Sequence, residues 1–555
     1  MEELGRLTRA AGIVGGFTLI SRVMGLFRDI VIAYMFGTQK AADVFFVAFR
    51  IPNMLRRLTA EGALTVAFVP VFTDYLTNRG KDEALRVARI VFTFAAFFLG
   101  LLTLLGIIFA APLTELMAVG WLADQEKFTL TVFLTRLVFP YIFFVSLVAL
   151  AMGILNSFRH FMAPALSPVL LNLSMIACTL FLSPFLEEPV TALAYGVLVG
   201  GVAQLLFQLP YLYRYGISFG ADFNFRHPAL RRLLFLMGPA VFGAAVYQVN
   251  IFVSTILASM LPSGSVSYLY YADRLLEFPV GIFAIALGTA ALPSFSFLVA
   301  KGEVGELRGA VSYSLRLVNF VSLPAALGLM VISVPVFSLF FQRGAFDANA
   351  TLNTAQALVY YSLGLWGVSG VKVSASVFYA MKDTRTPAWI ALWSFLLNLF
   401  LSLVLMGEIT SSGHSSLLAR VVVALSQYLS LFSLSHGGLA LATAISSTFN
   451  FLLLLLILYR RLDQFPLREF FVSFIRNLVN ALLMALPLYF IVRRVDWVGS
   501  EMGLITHGAI FLLLLGLGIL LYLGLSFLFR SPEWHVIGEL WARIKRQNFD
   551  NTISS

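Results

Sequence analysis

Arginine stands inside two of the most apolar stretches of this chain. The first, AGIVGGFTLISRVMGLFRDIVIAYMFG, holds Arg22, Arg28 and Asp29; the second, ADVFFVAFRIPNMLRRLTAEGALTVAFVPVF, holds Arg50, Arg56, Arg57 and Glu61. An ionised group at bilayer depth costs about 2.5–3.5 kcal/mol on insertion scales. Several close together are tolerable only if they face one another or a wet cavity. A cavity lined by guanidinium groups is chemistry for an anion, because the planar fork stays charged and grips phosphate or carboxylate bidentately.

The spacing says how the groups must be held. Ser21, Arg22, Gly25, Arg28 and Asp29 fall at i, i+1, i+4, i+7 and i+8, one stripe of a helix. Val23, Met24, Leu26, Phe27 and Ile30 cover the other faces, so the stripe is expected to face the interior of a bundle, with Gly25 allowing close approach. Two arginines to one aspartate leave excess positive charge, although an Arg22–Asp29 pair that only joins helices is the plainer reading. In the second stretch Asp43, Arg50 and Arg57 stand at heptad spacing with Asn53 between, and Arg57 and Glu61 are i, i+4 neighbours able to pair. Arg56 points about 100° away from Arg57, and either could snorkel to the interface. Pro52 is expected to bend this helix. A third cluster, YYADRLLEFPVG, brings Asp273, Arg274 and Glu277 within one turn, followed by Pro279 and Gly281, a break or bend.

The elements that must position these groups are membrane spans. Hydrophobic residues make up 59% of the 555 and charged ones 12%, against about 25% charged in soluble domains. The expected fold is an all-α polytopic membrane protein. Apolar runs of about 20 residues predict about fourteen spans, near 11–36, 43–73, 88–117, 129–155, 163–184, 190–212, 233–261, 266–299, 311–341, 353–380, 386–406, 437–459, 471–492 and 503–529. The stretch 407–436 reads as an interfacial helix or a long loop. The first run is too long and too charged for a signal peptide and is taken as a span.

Three segments recur about 223 residues apart: Ala48-Phe49-Arg50 with Ala272-Asp273-Arg274, Pro70-Val71-Phe72 with Pro293-Ser294-Phe295, and Pro164-Ala165 with Pro387-Ala388. That offset covers six spans, so the halves share one orientation. The expected organisation is a lobe over 1–220, a second pseudo-symmetric six-helix lobe over 221–462, and two further spans with a tail over 463–555. A transported ligand belongs in the cleft between such lobes, and arginines from both would clamp a diphosphate.

The net charge of +10 is mostly topological. Basic residues crowd the loops and tails that would be inner, among them Arg79, Lys81, Arg86, Arg231, Arg232, Arg460 and Arg461, while outer loops hold few, such as Lys40 and Lys127. This positive-inside bias puts both termini in the cytoplasm and calls for no nucleic-acid partner. The single Cys178 excludes an internal disulfide and reads as a buried hydrophobe. The histidines lack metal-ligand spacing, and no phosphate-binding Gly-Lys loop, HExxH or G-x-S-x-G is present. The expectation is no enzyme, no cofactor and no metal site.

Taken together, SRVMGLFRD (21–29), ADVFFVAFRIPNMLRRLTAEGA (42–63), FPYIFF (139–144), YYADRLLEFPVG (270–281), QRGAF (342–346) and FYAMKDTRTP (378–387) closely resemble the MurJ (MviN) lipid II flippases of the multidrug/oligosaccharidyl-lipid/polysaccharide (MOP) exporter superfamily. The resemblance runs from about residue 10 to 530. It implies two six-helix lobes and a terminal pair whose groove takes a lipid tail. It also implies alternating access carrying undecaprenyl-diphosphate-linked peptidoglycan precursor, lipid II, from the cytoplasmic to the periplasmic leaflet of a bacterial inner membrane. By motif, the family's functional arginines correspond to Arg22, Arg28, Arg56 and Arg274, and its acidic positions to Asp29, Asp43, Glu61 and Asp273. Ser21 and Asn53 join the arginines as candidate headgroup ligands. Asp29, Asp43 and Glu61 would pair with arginines in the empty site or act as gates, together with Arg57, Asp273 and Glu277. Gly25, Pro52, Pro279 and Gly281 are candidate hinges. Where some relatives carry an acidic sodium site, this chain offers Asn250, Asn398 and Ser402, and neutral oxygens hold a hard cation poorly. Membrane potential or another ion gradient is then the energy source, and other cell-wall synthesis proteins are candidate partners. The competing readings are an exporter of another lipid-linked oligosaccharide, a MATE-like drug exporter, a lipid-linked glycosyltransferase and a non-transporting cell-wall scaffold. A cationic drug would want carboxylates in the cleft. A transferase would want an acidic motif, which Asp124, Glu187 and Glu188 do not form.

Overall fold

Helix is the only regular structure among the described residues, as a chain that must satisfy its backbone inside hydrocarbon requires. The computed structural model describes residues 2–58, 64–217, 220–409, 416–463, 465–499 and 503–534, with backbone alone at 2–14, 65–66, 239–240, 242–244 and 246–247. The helices are α1 (Glu2–Phe36), α2 (Lys40–Arg56), α3 (Thr65–Asn78), α4 (Lys81–Ile108), α5 (Ala110–Met117), α6 (Gln125–Val138), α7 (Tyr141–Ser157), α8 (Met162–Leu182), α9 (Thr191–Arg214), α10 (Pro228–Ser259), α11 (Ser265–Pro279), α12 (Ile285–Lys301), α13 (Val304–Val331), α14 (Ser333–Phe340), α15 (Ala348–Leu363), α16 (Leu365–Ala380), α17 (Arg385–Leu405), α18 (Leu417–Leu429), α19 (His436–Arg461), α20 (Leu467–Arg494) and α21 (Leu504–Leu528).

Among the described residues ten helical segments are long and apolar enough to cross a membrane. The other expected spans fall on α1, whose second half carries Arg22, Arg28 and Asp29, on α2 and α3, on α10, and on α15 and α16, which are 16 residues each. Several expected spans are broken helices. The stretch from Ser265 to Lys301 passes through a π-helical turn at Val280–Ala284, directly after Pro279 and containing Gly281. Pro52 lies buried inside α2.

The chain packs as two units. The first comprises Met1–Ser267, Arg343–Asp347 and Glu408–Leu429; the second comprises Tyr268–Gln342, Ala348–Gly407 and Ser430–Ser555. In the first, α8 packs against both α1 and α9, and α2 against α6 and α7. Gly196 and Gly200 set the closeness of α8 and α9: a Cβ at Gly196 would sit 2.7 Å from the Met175 Cα, the small-xxx-small device of membrane helix pairs. The helix α10 packs on α3 and α5 in this same unit. In the second unit α13 packs on α20, and α19 on α15, α16 and α17. Its core gathers Phe295, Val311, Leu315, Phe378, Phe451 and Phe470.

The stretch left open as interfacial helix or loop contains α18, while 410–415 lie outside the described residues. One face of α18, with Ala419, Val422, Val423 and Ser426, is buried. Leu417, Val421, Leu425 and Tyr428 are exposed.

The MKDTRTP segment shows how a loop fixes a span. Asp383 Oδ1 accepts the backbone N–H groups of Arg385 and Thr386 (3.0 Å each), and Oδ2 accepts from Thr386 Oγ1 and Arg461 at 2.6 Å. Partial burial opposes its charge, but the bonds from Thr386 and Arg461 outweigh that and hold the carboxyl at about 2. Because the folded value lies below the ordinary 3.8, the stabilisation is present above about pH 4 and is lost as pH falls through about 2. Asp383→Ala is therefore expected to lower stability by about 1 kcal/mol near pH 7, the usual value of a capping side chain. Thermal unfolding in detergent should show the gap to the parent protein closing as pH falls from 4 toward 2.

Candidate functional site

On α1 the polar stripe meets α8. Arg28 Nε and Nη2 donate to Asp29 Oδ1 at 3.0 and 2.6 Å, and Nη1 donates to Asn172 Oδ1 at 3.0 Å. The Asn172 amide in turn donates to the Ser21 carbonyl at 3.2 Å, and a Cβ at Gly25 would lie 3.7 Å from it. Ser21 thus acts on Asn172 through its backbone. Arg28 is 7% exposed and Asp29 1%. An unscreened charge would be prohibitive at such depth, and mutual pairing plus an amide help to hold both there. The pair is Arg28–Asp29, and the Arg22–Asp29 pair of the plainer reading does not form. Arg22 is half-buried and, among the described residues, has no hydrogen-bond or ion-pair partner.

Asp43 resolves differently from expectation. It does not pair with an arginine: Lys127 Nζ lies 3.1 Å from Oδ2. Oδ2 also accepts the Gly264 N–H at 2.8 Å, and Oδ1 accepts the Ser267 N–H at 3.0 Å and its hydroxyl at 2.7 Å. This carboxylate, 1% exposed, closes the first turn of α11. Its partner is 5% exposed and lies over the Trp121 ring at 4.1 Å. Lys127 was read as a loop charge. Asp124 caps the helix, accepting the Lys127 N–H at 2.9 Å, so α6 starts at Gln125, earlier than expected, and carries Lys127 inward.

Along α2, Arg50 Nη1 donates to Thr255 Oγ1 at 2.8 Å and Arg56 Nε to Asn53 Oδ1 at 3.0 Å. Asn53 is thus a positioning group for Arg56. Arg57 is half-buried; its expected partner Glu61 lies outside the described residues. In the second unit Arg274 donates to Glu277 Oε2 at 3.0 Å and to Tyr270 Oη at 3.1 and 3.3 Å, with its guanidinium 5.1 Å from the Tyr270 ring centre. Asp273 is exposed. Tyr270, one turn before Arg274, was legible as an i, i+4 neighbour. Asn172 was legible only as a lone amide in an apolar run.

Each of these clusters sets a cation against a carboxylate or an amide oxygen. Among the described residues no group of three His, Cys, Asp or Glu could hold a metal. The Asn398 amide donates to the Thr443 and Ser446 hydroxyls at 3.2 Å each, and the Asn250 side-chain oxygen is buried without a hydrogen-bond partner among the described residues.

Solved structures place the fold. One titled "Inward-facing conformation of a multidrug resistance MATE family transporter of the MOP superfamily" superposes with a TM-score of 0.63 at 14% identity, covering 81% of this chain and 98% of that one. A MurJ structure described as an inward closed conformation gives 0.74 at 26% identity, covering 93% and 99%. The architecture is therefore that of the MOP transporters. The family described as "Lipid II flippase MurJ" matches residues 32–508. The lipid II flippase MurJ of Burkholderia cenocepacia is 36% identical over 94% of this chain and 96% of its own. The probable lipid II flippase MurJ of Vibrio cholerae is 39% identical over 72% and 77%. The chain belongs to the MurJ family.

Removing one member of the Asp43–Lys127 pair leaves a buried charge uncompensated, which costs about 3–5 kcal/mol. Lys127→Met is expected to approach that loss, reduced by the three N–H and O–H bonds Asp43 keeps. Asp43→Asn in the same chain should recover most of it. A double-mutant cycle by thermal unfolding in detergent checks the coupling.

Proposed function

We propose that this chain is a lipid II flippase of the bacterial inner membrane, with both termini cytoplasmic, moving the undecaprenyl-diphosphate-linked precursor to the periplasmic leaflet by alternating access. Membership of the MurJ family supports the substrate. The observation that carries the mechanism is Arg22, a half-buried arginine on α1 that has no counter-ion among the described residues. Nearby, Asp29 is already committed to Arg28. Among the described residues Arg22, Arg28 and Asp29 thus carry one excess positive charge, and the headgroup diphosphate supplies the missing negative charge through charge-assisted bonds.

Arg28 and Arg56, oriented by Asn172 and Asn53, are proposed to share in receiving the headgroup. Arg274 is proposed as a further ligand because Tyr270 and Glu277 fix its guanidinium while leaving it about 30% exposed. Membrane potential, worth about 2.3 kcal/mol per charge per 100 mV, is the proposed bias. The neutral character of Asn398 and its hydroxyl partners argues against sodium coupling.

In reconstituted vesicles, Arg22→Ala and Arg274→Ala are each expected to lower flipping about tenfold or more, the loss of a charge-assisted bond, with insertion unchanged. Normal rates in both variants contradict the reading. Depletion in cells should trap lipid II on the cytoplasmic leaflet; accumulation of another lipid-linked oligosaccharide instead would transfer the mechanism to that substrate. Replacing sodium by choline on both sides of the vesicle is expected to leave the flipping rate unchanged.

A further inference from the structure

Away from the α1 stripe, α13 carries a second set of arginines that the flipping reading does not use. Arg308, Ser312 and Arg316 stand at i, i+4 and i+8, one face of the helix. With Gly309 beside them, and Pro466 and Glu469 at the start of α20, they line a cavity of about 290 Å³ within the second unit. That is roughly ten times the ~30 Å³ share of one water in the liquid.

Three polar atoms in this cavity lack hydrogen-bond partners among the described residues. Arg308 Nε, Ser312 Oγ and Arg316 Nε are all buried with no hydrogen bond among the described residues. Ser312 is only 2% exposed, and an unsatisfied hydroxyl at that depth costs about 1–3 kcal/mol. The one acid lining the cavity, Glu469, is 3.7 Å from Arg316 Nη1 with its side chain 61% exposed. A surface pair of that length contributes little. Two cations face one loosely held carboxylate, so the cavity retains excess positive charge. A Cβ built on Gly309 meets nothing within 4 Å, so the cavity has room beside the backbone as well.

We propose that the Arg308–Ser312–Arg316 cavity binds a phosphate-bearing anion. Two guanidinium forks would take the phosphate oxygens, the Ser312 hydroxyl would donate a third bond, and Glu469 would swing away as the anion enters. The same chemistry fits the headgroup phosphate of an anionic membrane lipid or free inorganic phosphate. The site is separate from the arginines proposed to receive lipid II, and its test does not depend on flipping.

The full chain, purified in neutral detergent, is titrated with phosphatidylglycerol, with phosphatidylcholine as control, and bound lipid is counted by native mass spectrometry. In parallel, thermal unfolding is followed with inorganic phosphate against chloride at matched ionic strength. Arg308→Gln/Arg316→Gln should weaken binding about tenfold or more, the loss of charge-assisted bonds. Gly309→Leu, which keeps both charges and disturbs no packed neighbour, should weaken it comparably by filling the cavity. Glu469→Gln, which removes the competing carboxylate, should tighten it. Selective retention of phosphatidylglycerol that follows this pattern identifies a lipid site; stabilisation by inorganic phosphate that follows it identifies a free-anion site. Binding of neither, or binding indifferent to Gly309→Leu and to the double variant, overturns the proposal.

Discussion

The interaction on which this structure turns is the pairing of ionised side chains in a place where water is scarce. Each buried charge on α1 and α2 has a specific answer. Asp29 takes Arg28, and the remaining Arg28 nitrogen takes Asn172. Asp43 takes Lys127 and three donors from the turn that opens α11. These are not generic ion pairs: a carboxylate that is 1% exposed must fill its lone pairs or give up its charge. Against that background Arg22 and Arg57, both half-buried, stand out. Arg22, on α1 beside the Arg28–Asp29 pair, keeps its charge with no partner among the described residues. The proposed transport chemistry follows from that difference.

Rigidity and adaptability are divided along the same lines. Close glycine-mediated packing fixes α8 against α9, so Asn172 presents a steady amide to the arginine. Pro52 in α2, and the π turn after Pro279, interrupt regular hydrogen bonding near Arg56 and Arg274. Breaks of this kind in membrane helices are tolerated where side chains or cavity water re-satisfy the backbone. Their position beside the arginines suits the grip and release that the proposed transport cycle asks of those groups.

Much of this could be read from the residues themselves. Apolar run length located the ten helical segments able to cross a membrane, and helical spacing grouped Ser21, Arg22, Gly25, Arg28 and Asp29 on one stripe. Partners were not legible, because they come from far along the chain: Asn172 lies 144 residues from Arg28, and Lys127 lies 84 from Asp43. Lys127 in particular looked topological, since a lysine a few residues outside an apolar run is indistinguishable from a loop charge until the helix start is known. The Arg308–Ser312–Arg316 face is hidden in the sequence for the opposite reason. Arg316 resembles any basic residue near a helix end until a cavity with unsatisfied polar atoms is seen beside it.

The central claim is that Arg22 stands in water, in a field that attracts anions, inside a membrane helix. Arg22→Cys in a chain whose one native thiol is replaced by Cys178→Ser allows a direct reading in sealed vesicles. The account predicts faster modification by a small anionic thiosulfonate than by its cationic counterpart, and protection by added lipid II. Modification only by a lipid-soluble maleimide, with neither charged reagent reacting, would place position 22 against acyl chains and contradict the account.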